Sequence, residues 1–158
     1  MAGAVKRLDS LSETERSIRM SKVRSKGNRS TELVVEDTLR AAGVRGWRKH
    51  PKNIPGRPDF YFPKQKFALF VDGCFWHACP RCARRTPVSR AEFWSAKIDS
   101  NRRRDTRVRR LLVRQGFCTM RVWEHQLRGS SWLSRLMARL LRLKCEITLR
   151  AKASAPKA

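Results

Sequence analysis

The chain has 158 residues, with 37 Lys and Arg against 13 Asp and Glu, a formal net charge of +24. That length allows one domain with one core, and 41% hydrophobic residues are enough to form it, which excludes a wholly disordered basic protein. No apolar run of about 18 residues is present to cross a membrane, and Met1 to Asp9 lack the apolar stretch and cleavage site of a secretory signal.

Such a charge calls for an anionic partner. Nucleic acid is the first candidate and an anionic membrane surface the second. The preponderance of Arg in the last third favours phosphate forks and base edges over lipid. After Asn101 the chain carries 16 Lys and Arg against 3 Asp and Glu. A cytoplasmic, nucleoid-associated bacterial protein is expected, monomeric and without a membrane partner.

Residues 1–29 read as a basic arm. Ser12-Glu13-Thr14-Glu15 has the form of a capping box, and Arg16, Arg19, Lys22, Arg24, Lys26 and Arg29 follow with few large apolar residues. Such an arm can order on DNA. From Ser30 to Ala42 apolar residues recur at helical spacing, and Gly43 is a stop signal. A short extended stretch, Val44 to His50, leads into a Pro- and Gly-containing loop from Pro51 to Pro58.

Asp59 to Phe62 and Phe67 to Val71 read as two strands of a hairpin joined by a turn at Pro63 to Lys66. Asp72 to Arg90 is an irregular, Cys-, Pro- and Arg-rich insertion. Ala91 to Gln115 forms a long helix with Arg102, Arg103, Arg104, Arg107, Arg109 and Arg110 on its outer face, ended by Gly116. Phe117 to Trp123 is a third strand, Trp132 to Cys145 a second amphipathic helix, and the remainder a basic tail. The order predicts an α/β fold, a mixed sheet covered by helices. The expected organisation is an arm (1–29), one domain (30–145) and a tail (146–158).

Cys79-Pro80-Arg81-Cys82 is a Cys-x-x-Cys knuckle, with Cys74 five residues upstream. Three thiolates at this spacing match structural zinc, which takes four soft or borderline ligands in a tetrahedron. Candidates for the fourth are His77, His125, Cys118, His50 and Cys145. His77 would crowd its own loop, and Cys118 lies in an apolar strand. His125, just past a strand end, is chosen, giving Cys3His. Four protein ligands leave no position for a catalytic water, so the zinc is expected to be structural.

Acidic residues are scarce, so those in apolar surroundings stand out. Asp59 opens a strand, Asp72 follows the end of the adjacent one, Glu32 lies in a first helical turn, and His77 is just beyond Asp72. Carboxylates converging on one sheet edge can hold Mg²⁺ against a phosphate, and a neutral His can accept a proton from water. Aromatics interleave with these segments. Phe75, Trp76 and Trp94 are candidates to wedge between base pairs, while Phe93 is read as core. Arg57, in the loop before Asp59, is a further expected DNA contact.

Five blocks together resemble the very short patch repair endonucleases. They are Pro55-Gly56-Arg57-Pro58-Asp59-Phe60, Val71-Asp72-Gly73-Cys74-Phe75-Trp76-His77, Glu92-Phe93-Trp94, Asn101-Arg102 with Asp105, and Val122-Trp123-Glu124. They stand in family order and near family spacing, and the similarity runs from about Ser21 to Leu127. The resemblance implies a restriction-endonuclease-like fold and a Mg²⁺-dependent nick 5′ to the T of a T:G mismatch left by deamination of 5-methylcytosine. It implies as partners duplex DNA with that mismatch, a cytosine-5 methyltransferase encoded nearby and mismatch-repair proteins.

Residue by residue, the resemblance makes Asp59 the metal-ligating aspartate and the Val71 backbone carbonyl a second metal ligand. It makes His77 the histidine that activates water and Glu32 the helix glutamate beside the site. Phe75, Trp76 and Trp94 become the wedge, and the arm before Ser30 a DNA clasp. The zinc ligands Cys74, Cys79, Cys82 and His125 depart from the family's Cys, His, Cys and later Cys but remain four suitable donors. Asp72 stands where the family often has His, which either adds a metal-binding carboxylate or removes a proton-transfer group. Other readings are a related nicking nuclease acting on modified or invading DNA, and a non-catalytic zinc-stabilised DNA-binding protein.

Overall fold

The computed structural model describes Glu15, residues 31–82 and residues 91–153, with side chains as far as Lys144. The expected arm, apart from Glu15, and the end of the expected tail lie outside the described residues. So do the side chain of Cys145 and residues 83–90.

Helix α1 (Glu32–Ala41) follows Thr31, carries an acid in its first turn and Arg40 in its last, and buries Val35 and Leu39 one turn apart. Strands β1 (Arg48–Lys49) and β2 (Phe60–Phe62) bracket the proline-containing loop. In β2 the alternation Phe60 in, Tyr61 half-out, Phe62 in is the period of a strand with two unequal faces. A single 3-10 turn, Pro63–Gln65, closes the hairpin to β3 (Phe67–Asp72). Helix α2 (Ala91–Arg114) crosses over to β4 (Cys118–Trp123). A 3-10 segment (Glu124–Arg128) then leads to α3 (Ser131–Ala153), which continues past residue 145, where the sequence placed the start of a tail.

Among the described residues the sheet has four strands in the order β1-β2-β3-β4. The first two pairings are antiparallel and β3–β4 is parallel, with Asp72 opposite Trp123 at the shared carboxyl end. The expected mixed α/β sheet and its hairpin are therefore present.

The two faces of the sheet bury different helices. Phe60, Phe62, Phe67, Leu69, Met120 and Val122 pack with Val35 and Leu39 of α1 and Trp132, Leu136 and Leu140 of α3. On the other face Ala68 packs with Leu112 of α2 and Ile54, flanked by Tyr61, Phe70, Val108 and Phe117. Burial of each large apolar side chain contributes roughly 1.5–3 kcal/mol, so the first face dominates stability. The second face is thin, and Leu112 is the fully buried residue of a 24-residue helix. The six arginines named above for its outer face are all exposed. A helix this polar serves something other than the core.

Gly116 ends α2 at φ +76°, a left-handed conformation open to glycine, and the Phe117 N–H then donates to the Leu112 carbonyl. Gly56, also at positive φ, runs so close to α2 that an added Cβ would lie 2.2 Å from Val108 Cγ1. This contact sets the proline loop, and with it Asp59, against the helix.

Candidate active site

Asp59 immediately precedes β2, and its Oδ2 accepts the backbone N–H of Val71 at 2.6 Å from the adjacent strand. The hairpin register thus brings the Asp59 carboxylate beside the Val71 backbone. Burial is the main cause that pushes the Asp59 carboxyl up to about 7; the Val71 N–H opposes it, and the nearby charges of Glu32 and Asp72 add to it.

Glu32 comes off the first turn of α1, with its side chain 6% exposed. Its Oε2 lies 2.9 Å from His50 Nε2, and His50 Nδ1 lies 4.0 Å from Asp59 Oδ1. One ligand atom from each of Glu32, His50 and Asp59 falls within 4.8 Å of the others, a set able to hold a cation. Of the candidates for the fourth zinc ligand, His125 stands with the cysteines and His50 with the carboxylates.

A second group lies beyond the end of β3. His77 Nδ1 is 2.6 Å from Asp105 Oδ2 and 3.7 Å from Asp72 Oδ1. A carboxylate accepts, so the proton sits on Nδ1, and the Nε2 lone pair is left to take another. Arg121 of β4 pairs with Asp72 through Nε and with Asp105 Oδ2 at 3.0 Å through a terminal nitrogen. Burial raises the Asp72 carboxyl above its ordinary value despite the His77 and Arg121 charges. Burial also works against ionised Asp105, but its hydrogen bond with His77 and the charges of His77, Arg121 and Arg104 outweigh it and hold that carboxyl low.

Glu32, Asp59, Asp72, His77 and Asp105 line one cavity of about 1170 Å³. Its walls carry Arg57, Lys97, Arg102, Arg104 and Arg109, so acids at the floor are ringed by cations at the mouth. A phosphate backbone would meet the cations first and the carboxylates last.

The three wedge candidates form one aromatic cluster. Phe75 lies 5.1 Å from Trp76 and 5.4 Å from Trp94, and Trp76 lies 5.8 Å from Trp94, all edge to face. Asn101 Nδ2 ties the loop to α2 by donating to the Trp76 carbonyl at 2.9 Å. Phe93 corrects the reading of that residue as core: it is 55% exposed and packs its ring on Trp94.

Cys74, Cys79, Cys82 and His125 converge beside the same sheet end, one donor atom of each within 4.8 Å of the others. His125 Nδ1 faces Cys74 Sγ at 3.2 Å and Cys79 Sγ at 3.5 Å. Three thiols and an imidazole fit a soft tetrahedral ion. Burial, with the neighbouring thiols, pushes the Cys74 thiol up to about 12, so without a cation the Cys74 sulfur stays protonated. The cluster joins the loop after β3 to the segment after β4, which Glu124 also tethers by accepting the Cys74 N–H.

Spacing does not single out His50 as a partner of the acids, Asp105 as the partner of His77, or Arg121 as the partner of Asp72 and Asp105. The only signals were the scarcity of acids and histidines and, for Asp105, its place in one of the family blocks. Glu32, which could simply have favoured its own helix terminus, is instead turned toward His50, and Thr31 makes no side-chain cap.

No helix among the described residues is long and apolar enough to cross a membrane. Residues 8–84 match the family model described as DNA mismatch endonuclease Vsr. The type II nicking enzyme V.XorIIP of Xanthomonas oryzae pv. oryzae is 42% identical over 132 residues, covering 84% of this chain and 93% of that protein. The type II nicking enzyme V.NmeDIP of Neisseria meningitidis serogroup C is 39% identical over 119 residues, 75% of this chain and 79% of that one. The DNA mismatch endonuclease Vsr of Escherichia coli strain K12 is 38% identical over 88 residues, 56% of each. A chain with this match, this coverage and these acids in a cation-ringed cleft belongs to the Vsr family of DNA endonucleases.

Proposed function

We propose that this endonuclease nicks duplex DNA 5′ to the T of a T:G mismatch, with Mg²⁺ or a similar divalent ion, in very short patch repair of deaminated 5-methylcytosine. The observation that carries the reading is one cleft holding the Asp59 group, the His77–Asp105 pair and a rim of arginines. The name of the Escherichia coli relative, a mismatch endonuclease, supports the substrate class.

Asp59, Glu32 and the Val71 carbonyl would hold the divalent ion, which supplies Lewis-acid stabilisation of the scissile phosphate and of the departing oxygen. His77 takes the proton of the attacking water at Nε2, and Asp105 holds the ring in that tautomer. Asp72, in the place where the family often has His, is engaged by Arg121, so it acts as a counter-charge beside His77 and not as a proton donor. Arg57 and the arginines of α2 draw in the phosphate backbone. Phe75, Trp76 and Trp94 enter the stack beside the mismatch. Unstacking a step costs a few kcal/mol, roughly, and less where pairing is already poor, which favours mismatched sites.

The Cys74, Cys79, Cys82 and His125 cluster is read as structural zinc, closed to substrate. The mixed sheet with helices on both faces is in keeping with a restriction-endonuclease-like fold. A cytoplasmic monomer, working beside a cytosine-5 methyltransferase and mismatch-repair proteins, is the accompanying reading.

The test is nicking of labelled duplexes at moderate salt with Mg²⁺. One duplex carries a single T:G mismatch in a methylation-site context and the other is its C:G twin, with Asp59→Ala as control. A nick on the T strand of the mismatch alone, absent in the variant, is the expected result. Cutting of both duplexes would replace it with a broader nuclease acting on modified or invading DNA. Binding without any nick would leave a DNA-binding protein.

A further inference from the structure

The cation-binding set off α1 contains a donor that a purely oxygen-loving ion does not require. Mg²⁺ prefers oxygen ligands and keeps several waters, whereas an imidazole nitrogen suits later first-row ions. His50 is brought to this set by the backbone. It follows β1 directly, its N–H donates to the Asp59 carbonyl at 3.4 Å, and the pairing of Lys49 with Phe60 puts it across from Asp59. Its φ of 44° is a left-handed conformation unusual outside glycine, held between the β1–β2 ladder and Pro51.

The side chain is 18% exposed and the Glu32 side chain 6%, so both work largely out of solvent. His50 Nε2 lies 2.9 Å from Glu32 Oε2. Two donors at right angles, each about 2.1 Å from an octahedral ion, are about 3 Å apart, which is the same separation. The ring also lies against Asp59, with Nδ1 4.0 Å from Asp59 Oδ1, and one ligand atom from each of the three residues falls within 4.8 Å of the others.

We infer that His50 ligates, through Nε2, the divalent ion held by Asp59 and Glu32, and that this nitrogen turns the site from Mg²⁺ toward later first-row ions such as Co²⁺ and Ni²⁺. The inference rests on the reading of Asp59 and Glu32 as the divalent-ion site. A hydrogen bond from Nε2–H to Glu32 would occupy the same space, so the deciding quantity is metal–nitrogen contact.

The probe is Mn²⁺, added to the full-length protein with its Cys–His cluster kept loaded with zinc. Pulsed electron paramagnetic resonance reads nitrogen coupled to the bound ion, with ¹⁴N replaced by ¹⁵N in histidine-labelled protein. The expected spectrum has a histidine nitrogen coupling that is lost in His50→Gln and kept in His77→Gln. Mn²⁺ affinity falls at least about tenfold in His50→Gln, since even residues that only support a ligand cost that much. Co²⁺ displaces Mn²⁺ at far lower concentration than Mg²⁺ does, and His50→Gln narrows that gap.

Bound Mn²⁺ with no nitrogen coupling, or coupling that survives His50→Gln, overturns the inference. If circular dichroism finds His50→Gln unfolded, the wild-type and His77→Gln spectra decide, because zinc occupies His125. Asp59→Asn separates the two readings. Release of nitrogen-free Mn²⁺ by that change keeps the Asp59 site and removes His50 from it. Mn²⁺ binding unaffected by Asp59→Asn, or no Mn²⁺ binding in the wild type, removes both.

Discussion

His77 Nδ1 and Asp105 Oδ2 meet at 2.6 Å across 28 residues of sequence, one from the loop after β3 and one from α2. The contact fixes which imidazole nitrogen is free, and Arg121 pairs with the same Asp105 oxygen at 3.0 Å. Asp105→Asn keeps the shape but lets the amide donate to Nδ1, which favours the wrong tautomer. Single-turnover nicking is expected to fall by about 10²–10⁴-fold. Duplex affinity, read by fluorescence anisotropy, should stay close to wild type. A parallel loss of affinity would mean that Asp105 supports the fold of the cleft and not the proton transfer.

The raised Asp59 carboxyl has a definite sign for stability without divalent ion. The folded state holds this proton more tightly than the unfolded chain does, up to about 7 against an ordinary 3.8. Its contribution is therefore complete below the ordinary value and is lost as pH rises through about 7. Between pH 5 and pH 8 the wild type should lose on the order of 2 kcal/mol relative to Asp59→Asn. Denaturant unfolding of both proteins at the two pH values, with zinc retained and other divalent ions removed, measures this. Parallel curves would show that Asp59 ionises normally.

Zinc should hold the loop after β3 to the segment after β4. Cys79 is the fully buried sulfur of the cluster, and Cys79→Ser should lower bound zinc from one equivalent toward none. Loss of a structural metal belongs among the largest single-site effects, above about 4 kcal/mol, or roughly 8–16 °C in Tm for a chain of this size. Metal analysis and calorimetry check the two halves independently. An unchanged Tm in zinc-free protein would make the cluster a set of ordinary thiols.

Gly56 has no room for a side chain. Its positive φ is unfavourable for alanine, and the new Cβ would overlap Val108. Gly56→Ala should cost about 2–3 kcal/mol, part backbone and part packing. Val108→Ala in the same chain should recover the packing part only. A double-mutant cycle from urea unfolding gives that coupling, and full additivity would show that the loop and α2 do not press on each other.

Much of the architecture is local in origin and was legible residue by residue. The alternation of Phe60, Tyr61 and Phe62 marks a strand with two faces. The apolar spacing of Val35 and Leu39 marks a helix buried on one side, and Gly116 marks a helix end. The Cys-x-x-Cys knuckle and Cys74 are close in sequence, so their approach needed only a loop. Helix boundaries were less exact. Helix α3 runs on to Ala153, because nothing between residues 145 and 153 is a glycine or proline to stop it.

What only the tertiary structure decided is which partner each ionisable group has. His50 was one of several histidines and cysteines offered to zinc, yet the β1–β2 register delivers it to Asp59 and α1 delivers Glu32 to it. Asp105 and Arg121 lie on an arginine-rich helix and a strand, and they reach His77 and Asp72 only because the α2 crossover sets β4 parallel to β3. A residue's type and local spacing limit the chemistry that it can perform. Which chemistry it performs depends on charges a few ångströms away, and those arrive from distant parts of the chain when the sheet closes.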